Sequence, residues 1–130
     1  MAANDIPVRK DVRPEDRWNL SKLFPDDAAW ERGLSDLKSR IPRIASFKGT
    51  LARSPESLLS ALAFFRDYGI MEERLGYYAD LRQTEDEGDS ENRARAGRYM
   101  MAATEGQGEW SWLVPEIQRL PDASLEAWLG

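Results

Sequence analysis

The sequence predicts an all-α fold: an antiparallel array of three long helices plus a short C-terminal helix stub. Apolar residues recur at three- and four-residue steps over segments 26–46, 54–83 and 89–118, the spacing that builds one helical face. Each segment opens on a capping residue, Asp26, Ser54, and Asp89 or Ser90, whose side-chain oxygen satisfies a free N–H of the first turn. No segment alternates apolar and polar residues between hairpin turns.

Residues 1–16 are polar, with Pro7 and Pro14, and read as a flexible N-terminal arm. Residues 17–130 read as one helical domain. Trp18, Leu20, Leu23 and Phe24 form an apolar anchor without clear period. Pro25 and Asp26 then start the first helix, whose face is Trp30, Leu34, Leu37, Ile41 and Ile44. Pro42 lies inside this pattern, so a kink or break is expected near Lys38 to Ile41. Lys48-Gly49-Thr50 closes the segment.

Ser54-Pro55 pairs a cap with proline at the first helical position. The second face reads Leu58, Leu62, Phe65, Tyr68, Met71 or Glu72, Leu75, Tyr78, and Leu81 or Arg82. Gly69 and Gly76 each weaken a helix by about 1 kcal/mol relative to Ala, and mark either a join or the close approach of a neighbouring helix. After the polar turn Thr84 to Gly88, the third face reads Ala96, Tyr99 or Met100, Ala103, Trp110, Leu113 or Val114, and Ile117. Pro115 is expected to kink or end this helix. Asp122 is expected to cap the stub, Ala123 to Leu129. Its interruption at Gly130 reads as truncation.

Composition narrows the function. Hydrophobic residues make up 42% and charged residues 32%, values of an ordinary globular chain. No apolar run approaches the ~18 residues that span a bilayer, so no membrane partner is expected, and no secretory signal is visible. A cytoplasmic location is the expectation. Residues 1–53 carry a net +3 and residues 54–130 a net −8. Such an acidic domain repels phosphate backbones, so no nucleic-acid partner is expected.

The chain contains neither histidine nor cysteine. This excludes a histidine general base, a Ser-His-Asp triad, and zinc sites built on imidazole or thiolate. Glu85, Asp86, Glu87 and Asp89 lack the ligand spacing of a calcium loop and read as a solvated acidic turn. Glu72, Glu73 and Asp80 lie near Arg74 and Arg82, where surface ion pairs are expected. No catalytic, cofactor-binding or metal-ligating residue is therefore assigned. Four aromatics remain as candidates for a cleft or interface: Tyr77, Tyr78, Trp110 and Trp112. Packing between helices is the plainer reading of all four. Adjacent Tyr77 and Tyr78 cannot face the same way on one helix.

Four blocks occur in order: Trp18-Asn19-Leu20-Ser21-Lys22-Leu23-Phe24-Pro25, Phe47-Lys48-Gly49-Thr50-Leu51, Ser54-Pro55-Glu56-Ser57-Leu58-Leu59, and Tyr77-Tyr78-Ala79-Asp80-Leu81-Arg82. Together they resemble the N-terminal region of the oligoendopeptidase F family, thimet-oligopeptidase-like zinc metallopeptidases, over roughly residues 17–130. The resemblance implies an all-helical parent that hydrolyses oligopeptides in a deep cleft. It implies a zinc ion held by an H-E-x-x-H helix and a further Glu, several hundred residues beyond the counterpart of Gly130. None of those elements has a counterpart here. The chain then holds no cofactor, is inactive alone, and forms a non-catalytic wall of the cleft. Its partners are the remainder of the parent peptidase and, in the parent, the oligopeptide substrate. Trp110, Trp112, Leu113, Val114, Ile117 and Trp128 are expected to leave an apolar patch at the cut end, through which the isolated chain forms a homodimer. Alternative readings are a free-standing helical module that binds a protein or peptide, and a structural domain without a ligand. A reading frame that continues to an H-E-x-x-H motif separates the first from the others.

Overall fold

The computed structural model describes Pro7 and residues 9–130. Among these residues every regular element is helical. Helix α1 spans Asp27–Ile44, α2 Pro55–Glu85 and α3 Ser90–Trp110. Two short helices follow, α4 Leu113–Gln118 and α5 Asp122–Leu129. The three long helices pack pairwise against one another, and the core lies along their shared axis.

The caps form as their chemistry requires. Asp26 accepts the N–H of Ala29, Ser54 that of Ser57, and Asp89 those of Glu91 and Asn92. Helix α1 buries the expected stripe of Trp30, Leu34, Leu37, Ile41 and Ile44. It runs on through Pro42 without the expected break. Both Pro42 and Lys38 face solvent, so the Lys38 carbonyl that loses its partner to proline is open to water. Gly49 turns the chain towards α2 at φ 78°, a left-handed conformation that a side chain disfavours. The carboxylate of Glu116 fastens this turn by accepting the N–H groups of Gly49 and Leu51.

In α2 the expected face packs inward at Leu58, Tyr68, Met71, Leu75 and Tyr78 but not at Leu62 and Phe65. Ala61, Tyr68, Leu75, Tyr78 and Ala79 are buried, with Phe64 and Met71 packed beside them. Leu62 and Phe65 are exposed. The helix carries apolar residues on two sides, and the inner stripe is the one holding Ala61 and Phe64.

The third segment is not one helix. It breaks at Ser111-Trp112, ahead of Pro115. Proline has no N–H to offer the Ser111 carbonyl and clashes with it in a continuous helix. In α4 it falls in the first turn, where its missing N–H has no intrahelical partner to lose. Asp122 is the first residue of α5 rather than its cap; Pro121 holds the cap position, without a side-chain bond. The apolar residues near Gly130 are also less bare than expected. Trp110 and Leu113 are buried, Trp112, Ile117 and Trp128 are half-buried, and Val114 is exposed.

Residues 1–6 and 8 of the expected arm lie outside the described residues. Residues Arg9–Asp11 and Pro14–Asp16 form single 3-10 turns. Arg9 forms an ion pair with the buried side chain of Glu85. In the anchor that follows, Leu20, Leu23 and Phe24 pack on the core, whereas Trp18 is exposed.

Candidate functional site: a groove between α2 and α3

At one end of the bundle a polar cluster joins all three long helices. Asp27, in the first turn of α1, accepts the Tyr78 hydroxyl at 2.6 Å and meets Arg82 at 3.2 Å and Arg95 at 3.0 Å. Arg95 is buried, and also donates to Asn92 Oδ1 at 2.8 Å. Asn92 in turn donates to the Arg82 carbonyl at 2.8 Å. Burial works against the Asp27 carboxylate, but the Tyr78 hydroxyl and the two guanidinium groups outweigh it and lower its pKa. Burial, and then the bond to Asp27, push the Tyr78 hydroxyl up to about 12. Arg95 and Arg98 approach the face of Trp30 at 5.7 and 5.9 Å, and the Trp30 indole donates to the Leu75 carbonyl at 2.9 Å. The Asp27 oxygens are occupied by three donors from two other helices. The cluster is a clamp between helices, with no free base or nucleophile.

The opposite face of the α2–α3 pair is open. Two clefts run along it, of about 300 and 500 Å³. The first lies between Gly76, Tyr77 and Asp80 of α2 and Ala96, Tyr99 and Met100 of α3. The second lies between Phe65, Gly69 and Ile70 of α2 and Gln107, Trp110 and Ser111 around the end of α3. Glu73 lines both, so they form one groove. Its floor depends on glycine. A Cβ at Gly76 would lie 2.6 Å from the Tyr99 hydroxyl, and one at Gly106 would collide with that of Tyr68. Each tyrosine ring rests on the backbone of the facing helix. Gly76 thus marks the close approach that was one of its two sequence readings. Gly69 meets no such neighbour.

The groove is acidic. Glu72, Glu73 and Asp80 line it, and among the described residues none of the three has an ion-pair partner. The ion pairs expected with Arg74 and Arg82 do not form. Arg74 donates to the Lys22 and Leu23 carbonyls, and Arg82 reaches Asp27. Burial and the neighbouring Glu73 raise the pKa of Glu72. Burial, then Glu72 and Glu73, raise that of Tyr99. Tyr68 is pushed up to about 12 by burial, then by Glu72 and Glu105.

The four aromatic candidates do not converge on one site. Tyr77 is 58% exposed and lines the first cleft, whereas Tyr78 is buried in the clamp. Trp110 closes the second cleft, edge-on to Phe65 at 5.0 Å and to Tyr68 at 5.8 Å. Trp112 stacks on Trp110 at 6.1 Å and does not line the groove. Sequence reasoning missed Met100 as an exposed wall and the unpaired carboxylates as a feature. In the sequence Met100 stands only as the alternative to Tyr99 in the third face, and Arg74 and Arg82 lie close enough to suggest partners for the carboxylates.

The chain is therefore an all-α domain with an acidic groove between its two longest helices. Two curated proteins align with nearly all of it. It is 33% identical over 129 residues to Oligopeptidase PepF of Bacillus subtilis (strain 168), an alignment covering 98% of this chain and 19% of that protein. It is 22% identical over 121 residues to Group B oligopeptidase PepB of Streptococcus agalactiae serotype III (strain NEM316), covering 93% of this chain and 20% of that protein. Its curated homologues are thus oligopeptidases of the oligoendopeptidase F family, and the chain spans about a fifth of their length. No family model matches the chain, and no solved structure matches it significantly. Among the described residues no helix is long and apolar enough to cross a membrane.

Proposed function

We propose that this chain is the non-catalytic N-terminal helical domain of an oligoendopeptidase-F-like zinc metallopeptidase, and forms one wall of the cleft that admits oligopeptides. The observation that carries this reading is the 33% identity over 98% of the chain to a protein about five times as long. In the parent, zinc supplies Lewis acidity and an activated water. This chain's own residues do not fit that ion. It has no histidine or cysteine, and among the described residues no three Asp or Glu side chains group as metal ligands. Carboxylates alone hold zinc poorly against water. The chain's contribution is shape: three clamped helices that present a fixed face. The parent is proposed to be a cytoplasmic enzyme.

The test compares this chain with the parent polypeptide encoded by its continuing reading frame. A quenched-fluorescence peptide assay is expected to show turnover by the parent that a zinc chelator abolishes, and none by this chain. Calorimetric titration of this chain with zinc is expected to show no sub-micromolar site. Turnover by this chain, free of contaminating protease, overturns the reading. A frame that stops without an H-E-x-x-H motif replaces it with a free-standing module that binds a helix or peptide, a reading the open α2–α3 groove favours.

A further inference from the structure

We propose that the α2–α3 groove seats a cationic amphipathic helix from the part of the parent peptidase that this chain does not contain. The inference rests on the peptidase reading above and adds to it which face is covered and by what chemistry.

Its first support is the second apolar side of α2. An apolar stripe on a helix faces a packing partner. The inner stripe of α2 meets α1 and α3. The outer side bears Leu62, Phe65, Ile70 and Tyr77, all exposed, and Met100 of α3, 61% exposed, lines the first cleft with Tyr77. Phe65 and Ile70 line the second cleft and Tyr77 and Met100 the first, and exposed apolar residues gathered along one groove mark an interaction site. Phe65 and Tyr77 are twelve residues apart in the sequence, a separation of about 18 Å along a helix. That length accommodates three turns or more of a partner helix, which needs only side chains at three- and four-residue steps to follow it.

The second support is charge. Glu72, Glu73 and Asp80 stand along the same groove without an ion-pair partner among the described residues. Among the described residues the cation that lines the groove, Arg66, is paired with Asp67 at 2.9 Å. A partner that carries Lys or Arg on both flanks of its apolar stripe meets these carboxylates. A second copy of this chain does not. Two-fold pairing through the groove would set each carboxylate near its own equivalent, and like charges across an interface are unfavourable. The third support is length. The relatives extend about four-fifths of their length beyond the aligned part, ample to supply a covering helix.

The experiment uses this chain and the intact parent. Methionine oxidation by dilute peroxide, followed by mass spectrometry, reads the exposure of Met100 in each. Carbodiimide joins a carboxylate to a lysine amine with loss of water and no spacer, so the cross-linked peptide identifies the occupant. The expected result has two parts. Met100 oxidises at least about tenfold more slowly in the parent. Glu72, Glu73 or Asp80 is joined to a lysine in a parent segment with apolar residues at three- and four-residue steps. In the parent, the variant Glu72→Gln/Glu73→Gln is expected to keep its far-ultraviolet circular dichroism and regain Met100 oxidation. Equal Met100 oxidation in the two proteins overturns the proposal, as do cross-links that join two copies of this chain. A parent that cleaves oligopeptides with its groove open sinks this inference alone. A parent without peptidase activity sinks the reading beneath it.

Discussion

Replacing Gly106 with alanine tests whether the α2–α3 contact is as close as the structure places it. Two terms oppose each other. Alanine in a helix interior is favoured over glycine by about 1 kcal/mol. At Gly97, also in α3, a Cβ meets nothing within 4 Å, so Gly97→Ala keeps that gain. At Gly106 the Cβ would overlap the Tyr68 hydroxyl and lie 3.0 Å from Tyr68 Cζ. The Tyr68 ring is 1% exposed and held edge-on to Trp110, so it cannot swing clear. Overpacking of this kind costs about 1–3 kcal/mol. Because both variants share the propensity gain, Gly106→Ala is expected to be less stable than Gly97→Ala by that whole amount. Urea unfolding followed by far-ultraviolet circular dichroism measures the difference. Tyr68→Phe removes the hydroxyl, which is buried without a hydrogen-bond partner. It is expected to restore part of the Gly106→Ala loss, with a coupling of about 1 kcal/mol in a double-mutant cycle. Equal stability of the two alanine variants, or no coupling to Tyr68, would refute the close approach.

Three further outcomes follow from the same contacts. The Asp27 pKa is lowered in the folded state, so its stabilisation is complete above the ordinary carboxylate pKa and is lost as pH falls through the lowered value. Asp27→Asn is therefore expected to lower Tm at neutral pH and to lessen its fall below about pH 4, read by thermal scans across pH. Glu116→Ala leaves the N–H groups of Gly49 and Leu51 without their carboxylate; a loss of about 1–3 kcal/mol is expected in urea unfolding. Tyr68 and Tyr78 are both pushed up to about 12, so their phenolate absorbance is expected to appear only well above the ordinary tyrosine value of about 10. Tyr68→Phe and Tyr78→Phe should each remove amplitude from that late phase.

Local chemistry made much of the fold legible. Asp26, Ser54 and Asp89 cap helices with their own side chains, and α1 has a single apolar stripe, so its buried face had one solution. Helix α2 had two. With apolar residues on both sides, periodicity could not tell Ala61 and Phe64 from Leu62 and Phe65; the neighbouring helices decide it. The buried polar residues of α3 were illegible for a related reason. Arg95 looks like a surface residue until Asp27, distant in sequence, is brought to 3.0 Å from it. The groove carboxylates failed the other way. Arg74 and Arg82 are near them in sequence, but the Leu23 carbonyl and Asp27, both distant in sequence, take the two guanidinium groups. Gly76 and Gly97 look alike in the sequence, and only the facing Tyr99 ring separates a required glycine from a dispensable one.

Photo-cross-linking of the intact parent with an oligopeptide inhibitor that carries a benzophenone tests most directly whether this domain walls the cleft. With the photophore placed in turn at each end of the peptide, at least one position is expected to label residues within 17–130, and unlabelled substrate should compete the label away. Labelling confined to the polypeptide beyond Gly130, at every photophore position, would contradict the account.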